Sequence, residues 1–279
     1  MAVPDPIDEH PLAGRRIALL EHRELDRLGQ MLEAQGARTL RCPLVAIADM
    51  PDPAPVLAWL GRFVETPPDD LVLMTGEGLR RLCGYAERTG RGHAAAFREA
   101  LGRVRTITRG PKPARALREI GLTPVLRTER PTSEGVIAAL ARGALRDRRI
   151  GVQLYPGAPS RLVDFLGEAG ARPDPVWPYA YVPSVADDEI VALIAEIADG
   201  RVDAIAFTSA AQVTRLFAAA QAAGLETRLR AALHSTTIAA VGPIVAGELG
   251  RRGLSAAIMP RDSYFMKPLV SAIAAALAR

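Results

Sequence analysis

The feature that most restricts the fold is an internal repeat. RIALLEHRELDRLGQMLEAQGAR at 16–38 has the grammar of RIGVQLYPGAPSRLVDFLGEAGAR at 149–172: a short apolar run, a turn, an amphipathic helix and a glycine stop. Arg16 and Arg149 stand 133 positions apart. DLVLMTGEGLRRL at 70–82 resembles DAIAFTSAAQVTRLF at 203–217, pairing Asp70 with Asp203 and Thr75 with Thr208 at the same offset of 133. VRTITRGPKPARALREIGL at 104–122 and TTIAAVGPIVAGELGRRGL at 236–254 align Gly110, Pro111 and Gly121 with Gly242, Pro243 and Gly253 at an offset of 132. Three segments in one order at nearly one offset describe two copies of one structural unit, and a length of 279 residues accommodates two domains.

Each repeated segment reads as strand, tight loop and helix. The run from Ile17 to Leu20 suits a buried strand, and Leu25, Leu28 and Leu32 follow at helical spacing before Gly36. Pro111 and Pro113 suit a first helical turn, where a missing amide donor costs nothing. Short apolar strands alternating with helices form parallel sheets covered on both faces. Ligands of such sheets sit beyond the carboxyl ends of the strands. The loops to watch are therefore 21–24, 75–78, 109–113, 155–160, 208–211 and 242–245. Two proline-bearing stretches, 41–55 and 171–184, stand outside the repeats and read as edge strands or interdomain crossings.

Composition and motifs exclude much. Apolar residues make up 49% and charged residues 24%, an ordinary globular mixture, and no apolar run approaches the ~18 residues of a membrane span. Residues 1–13 are polar and proline-rich without an apolar segment, so they read as a loose leader rather than a secretory signal. Cys42 and Cys83 form neither a CxxC nor a metal-spaced set, which fits a cytoplasmic location. The net charge of +4 comes from scattered arginines and marks no direct nucleic-acid surface. TGEGLR at 75–80 starts like a dinucleotide fingerprint but has Arg81 where its last glycine belongs. There is no P-loop and no GxSxG elbow, and His10, His22, His93 and His234 are dispersed, so no metal and no cofactor are expected. What remains is backbone: TSAA at 208–211 and VGPI at 241–244 open helices whose first amides can face anionic groups, although Thr208 and Ser209 equally suit plain N-caps.

FTSAAQV at 207–213, VGPxxAxxLxxxGL at 241–254, its counterpart RGPKPARALREIGL at 109–122 and the tyrosine-bearing VWPYAYVP together resemble the uroporphyrinogen-III synthase family over roughly residues 15–275. The resemblance implies two doubly wound parallel-sheet, flavodoxin-like α/β domains joined by two extended linkers, the second inserted in the first. On this chain these are 14–44 plus 182–279, and 47–178, with the site in the gap between them. It implies a cofactor-free cyclising lyase acting on hydroxymethylbilane, a linear tetrapyrrole with eight carboxylates. Loss of its hydroxyl gives an azafulvene, a spiro intermediate follows, and closure inverts one ring. A monomer is expected.

By the same resemblance, Tyr179 assists departure of the hydroxyl, with Tyr181 the alternative if the register shifts by two. Aromatic packing at a domain crossing is the plainer role for both. The loops that contact carboxylates map onto Thr75, Gly76, Gly110, Thr208, Ser209, Ala210 and Gly242. Arg109, Lys112 and Arg161 lie in or beside those loops as carboxylate partners, or else as ordinary solvated cations. Two departures stand out: where the family often carries threonine after its GP pair, this chain has Pro113 and Val245. They favour an alternative, a tetrapyrrole-sensing module of the same fold working with a DNA-binding partner or domain.

Overall fold

The computed structural model describes residues 10–278. The chain divides into two compact units, one built from the residues up to Ala46 and from Tyr181 onward, the other from Ile47–Ala180. Unit 1 begins with β1 (Arg16–Leu19), α1 (Leu25–Glu33) and β2 (Arg38–Arg41), and the chain leaves it along β3 (Val45–Ala48). Unit 2 contains α2 (Ala54–Glu65), β4 (Asp70–Leu73), α3 (Gly76–Thr89), α4 (Arg91–Arg103), β5 (Arg105–Thr108), α5 (Pro111–Glu119), β6 (Leu126–Arg127), α6 (Ser133–Leu140), β7 (Arg149–Gln153), α7 (Arg161–Glu168) and β8 (Arg172–Val176). The chain returns along β9 (Ala180–Pro183), which pairs with β3. Unit 1 is then completed by α8 (Asp187–Ala198), β10 (Ala204–Phe207), α9 (Ala210–Ala222), α10 (Glu226–Ser235), β11 (Thr237–Ala240), α11 (Pro243–Arg251) and α12 (Met266–Leu277).

Both sheets are parallel and share one strand order. Unit 1 runs β2-β1-β10-β11, extended by a parallel bridge from Ala239 to Ile258. Unit 2 runs β8-β7-β4-β5-β6. With β7 matched to β1 and β4 to β10, the two orders coincide, and unit 2 is a circular permutation of unit 1 that starts at the equivalent of β10. In β4 all four residues are buried, with Leu71 and Leu73 in one apolar cluster and Val72 in another. Alternate side chains of a strand point to opposite faces, so the positions covered on both sides, Leu71 to Leu73, are apolar. Trp59 and Phe63 of α2 stack at 5.0 Å on the first face, and Leu162 and Leu166 of α7 cover the second.

The repeat itself needs one correction. The Asp203 carboxylate accepts the Arg16 N–H at 2.8 Å, and the residue that does the same for the Arg149 N–H, also at 2.8 Å, is Asp69, not Asp70. The backbone agrees: Asp203 N–H donates to Arg16 O, and Asp69 N–H donates to Arg149 O. The middle segment is therefore offset by 134, and Thr75 matches Ser209 rather than Thr208. Asp70 has no acidic counterpart; it is fully buried, held by Arg105 and by Arg148 at 2.7 Å.

Local signals behave as their chemistry requires. Gly121 and Gly253 stop α5 and α11 with φ of 80° and 75°, a region that favours glycine. Stretch 171–184 divides: its first part is edge strand β8 and its second the return crossing. In β8 the Arg172 N–H and the Val176 carbonyl point at β7, so the intervening Pro173 and Pro175 direct their missing donors at the open edge, where proline is tolerated. Residues 1–9 of the expected leader lie outside the described residues. Leu12, however, is fully buried and its N–H donates to Gln35 O, so 10–13 belong to folded unit 1 rather than to a loose leader. Among the described residues no helix is long and apolar enough to cross a membrane.

Candidate active site

In each unit the strand order reverses its direction of winding at the parallel pair β1/β10 or β7/β4, and the crevice at the carboxyl ends of that pair is where such sheets bind ligands. In unit 2 a side-chain network lies at these strand ends. Thr75 caps α3, its Oγ1 accepting the Gly78 N–H at 3.0 Å. The Thr75 N–H donates to Gln153 Oε1 at 3.0 Å, and Thr75 Oγ1 lies 3.4 Å from the same oxygen. On its other side Thr75 Oγ1 is 3.3 Å from the hydroxyl of Tyr179. Thr75 is half-buried, whereas Gln153 is fully buried and Tyr179 is only 2% exposed. Thr75 is thus the accessible middle of a chain of polar groups whose two ends, Gln153 and Tyr179, are buried.

Basic residues flank this network. Arg109 follows β5, the neighbour of β4, and its guanidinium lies 4.9 Å from the centre of the Tyr155 ring, a cation–π distance. Lys112 is exposed at the start of α5. Arg161 opens α7 with its side chain 72% exposed, 3.9 Å from Glu134. Tyr181 is half-buried on β9.

The glycines have packing reasons. A Cβ on Gly76 would lie 2.7 Å from Lys112 O, on Gly110 2.8 Å from Pro131 Cβ, and on Gly242 2.9 Å from the Tyr264 ring. On Gly78 it would lie 1.9 Å from Gln153 Nε2. The glycines of TGEG therefore admit neighbouring parts of the chain, which explains an incomplete dinucleotide fingerprint. Pro113 and Val245 sit in the first turns of α5 and α11 and are buried, so both serve the cores of their units.

Unit 1 furnishes its crevice differently. Ser209 caps α9 in a capping box with Gln212. Gln212 Oε1 accepts the N–H groups of Thr208 at 2.8 Å and Ser209 at 3.2 Å, and its Nε2 donates to Thr208 Oγ1 at 2.9 Å. The Thr208 hydroxyl donates in turn to the Glu21 carboxylate. Thr208 is therefore committed to an anion of its own chain, and Ala210 contributes a first-turn amide that α9 itself cannot satisfy. Gln153, Glu21 and Tyr155 were not singled out from the sequence. Gln212 was legible as the fourth residue of SAAQ, and Gln153 as the one polar residue closing the run IGVQL.

Two doubly wound α/β units that are permuted copies, each with a polar crevice at its strand ends, define a class of duplicated small-molecule-handling proteins. The chain belongs to the uroporphyrinogen-III synthase family: residues 26–271 match the profile described as uroporphyrinogen-III synthase HemD. A crystal structure of a substituted uroporphyrinogen III synthase from Thermus thermophilus is similar with a TM-score of 0.75 at 28% identity, covering 95% of this chain and 99% of that one. The wild-type Thermus enzyme in another crystal form gives 0.59 at 27% identity, over 95% and 98%. A Bacillus subtilis protein of uncharacterized function, YjjA, is 30% identical over 250 residues, 89% of this chain and 91% of its own. Family and fold are those of a cyclising lyase whose family substrate is hydroxymethylbilane.

Proposed function

We propose that this chain is an active uroporphyrinogen-III synthase, and that the Thr75–Tyr179 pair assists departure of the hydroxyl from hydroxymethylbilane. The observation that carries the reading is the 3.3 Å approach of the two hydroxyls at the cap of the helix that follows the switch-point strand. When the Tyr179 phenol donates to Thr75 Oγ1, as the Gly78 N–H does, the single Thr75 proton faces Gln153 across 3.4 Å, a long bond that a substrate oxygen can replace. The C–O bond breaks with its electron pair on oxygen. The oxygen leaves as water with the Thr75 proton, which Tyr179 replenishes; the pyrrole carbon that closes the ring releases the proton that restores Tyr179. Arg109, Lys112 and Arg161 receive substrate carboxylates, for which guanidinium and ammonium groups are suited. Most of the acceleration comes from holding the linear chain in one closing geometry.

The test supplies hydroxymethylbilane generated in situ, oxidises the products and resolves isomers I and III. Isomer III well above the enzyme-free background supports the reading, and isomer I alone overturns it. Tyr179→Phe is expected to slow formation of isomer III by about 100-fold, within the usual contribution of a positioned proton donor, and Tyr181→Phe by less. Pro113 and Val245 remove two hydroxyls from their loops, and a chain that binds the tetrapyrrole without making isomer III would be the sensing module instead.

A further inference from the structure

We propose that Gln153 is a positioning residue: through Thr75 it holds the Tyr179 hydroxyl in place. The inference rests on the synthase reading for its catalytic consequence, but the hydrogen-bond chain can be tested without it. Gln153 is the last residue of β7, fully buried, in a strand whose remaining central positions are apolar. A buried amide must satisfy both ends. Its Nε2 donates to Leu154 O, and its Oε1 receives the Thr75 N–H at 3.0 Å. That bond ties the carboxyl end of β7 to the cap of α3 across the switch point. The space for the amide exists because residue 78 is glycine, since any Cβ there would fall 1.9 Å from Nε2. Gly78 also donates its N–H to Thr75 Oγ1 at 3.0 Å, so the residue that makes room for Gln153 fixes the same hydroxyl from the other side. With both constraints acting, Thr75 Oγ1 has one position relative to Tyr179. Without Gln153 the Thr75 N–H is left unpaired and the cap can shift, and misplacements of this kind are costly to catalysis.

Gln153→Met keeps the length of the side chain and removes both polar ends. It is expected to lower kcat for isomer III about tenfold with KM changed less than twofold. In a Tyr179→Phe background it should cost little more, because the group it positions is gone; a full additional loss there would show a general structural role and overturn the proposal. Gln153→Glu supplies rescue and a signature. Protonated, the carboxyl reproduces both hydrogen bonds; ionised, it faces the Leu154 carbonyl and loses the donor. Its activity should approach wild type at low pH and fall as pH rises, a limb absent from wild type, and burial places that limb above the usual carboxylate range. A second readout needs no turnover: with 3-fluorotyrosine incorporated, the ¹⁹F resonance that disappears in Tyr179→Phe should shift in Gln153→Met. If that resonance moves while wild type makes no isomer III, the synthase reading falls and the hydrogen-bond chain stands. An unmoved resonance overturns the proposal, whatever the activity.

Discussion

The crevices of the two units have the same backbone and different polar furniture. In unit 1 the amide that organises the cap comes from the helix, Gln212, and the residue directly after the strand is the apolar Leu20. In unit 2 the position of Gln212 is taken by Gly78, and the amide comes from the strand, Gln153, at the position of Leu20. The acceptor for the cap N–H is conserved in space while its covalent origin changes. The charges differ too: Glu21 sits beside Thr208, whereas in unit 2 Arg109 and Lys112 follow β5, the strand next to β4. Beyond these strand ends unit 2 thus carries cations and unit 1 a carboxylate.

The sharpest test exchanges the two solutions. Gly78→Gln drives a side chain into the Gln153 amide and should destabilise unit 2 by up to about 3 kcal/mol, and Gln153→Leu should cost about 1–3 kcal/mol through the orphaned Thr75 N–H. The double variant recreates the unit 1 arrangement and should recover to within about 1 kcal/mol of wild type in denaturant melts; simple additivity would break the equivalence. Next is Asp70, which unit 1 lacks. Arg148→Met leaves this buried carboxylate with Arg105 as its remaining charged neighbour and should cost about 2 kcal/mol, seen as faster hydrogen exchange in β4 and β7 while β1 and β10 are unaffected. The same bond holds the Arg148 guanidinium above its ordinary pKa.

Activity should divide the same way. Thr75→Val is expected to reduce isomer III formation at least tenfold, and Thr208→Val by less than about threefold, because the Thr208 hydroxyl already serves Glu21. Equal losses would remove the functional contrast between the units. The smallest effect concerns the thiols. Burial is the main cause that pushes Cys42 and Cys83 up to about 11, aided by Glu189 and Glu87 respectively. The thiolate is the reactive form, so alkylation by iodoacetamide should be slow at pH 8 and climb through pH 10 to 11. Cys83, the less buried of the two, should react first; rapid labelling of Cys42 at pH 8 would contradict its burial in the core of unit 1.

Much of the fold was legible before any coordinates. The apolar runs of β1, β4 and β10, the glycines closing α5 and α11, and the prolines of α5 and β8 obey local rules, because backbone sterics and the period of a strand or helix act over a few residues. The loops that follow the strand ends could be placed too, since strands and helices alternate there in short windows. Within those loops, Thr75 and Tyr179 could be named from resemblance, but their 3.3 Å approach joins residues 104 positions apart. Gln153 could be noticed as a polar residue in an apolar strand, yet nothing local says that its amide fills the space left by Gly78.

The sequence by itself determined that two copies of a strand–loop–helix unit would form parallel sheets, because hydrophobic periodicity and turn chemistry are written in short windows. Only the tertiary structure decided that Asp69 rather than Asp70 matches Asp203, that Leu12 belongs to a core, and that Gly78 and Gln153 exchange roles with Gln212 and Leu20. These are questions of register and of which buried polar group finds which acceptor. They are settled by packing across strands and by the free energy of leaving a buried amide unpaired, neither of which is a property of neighbours along the chain.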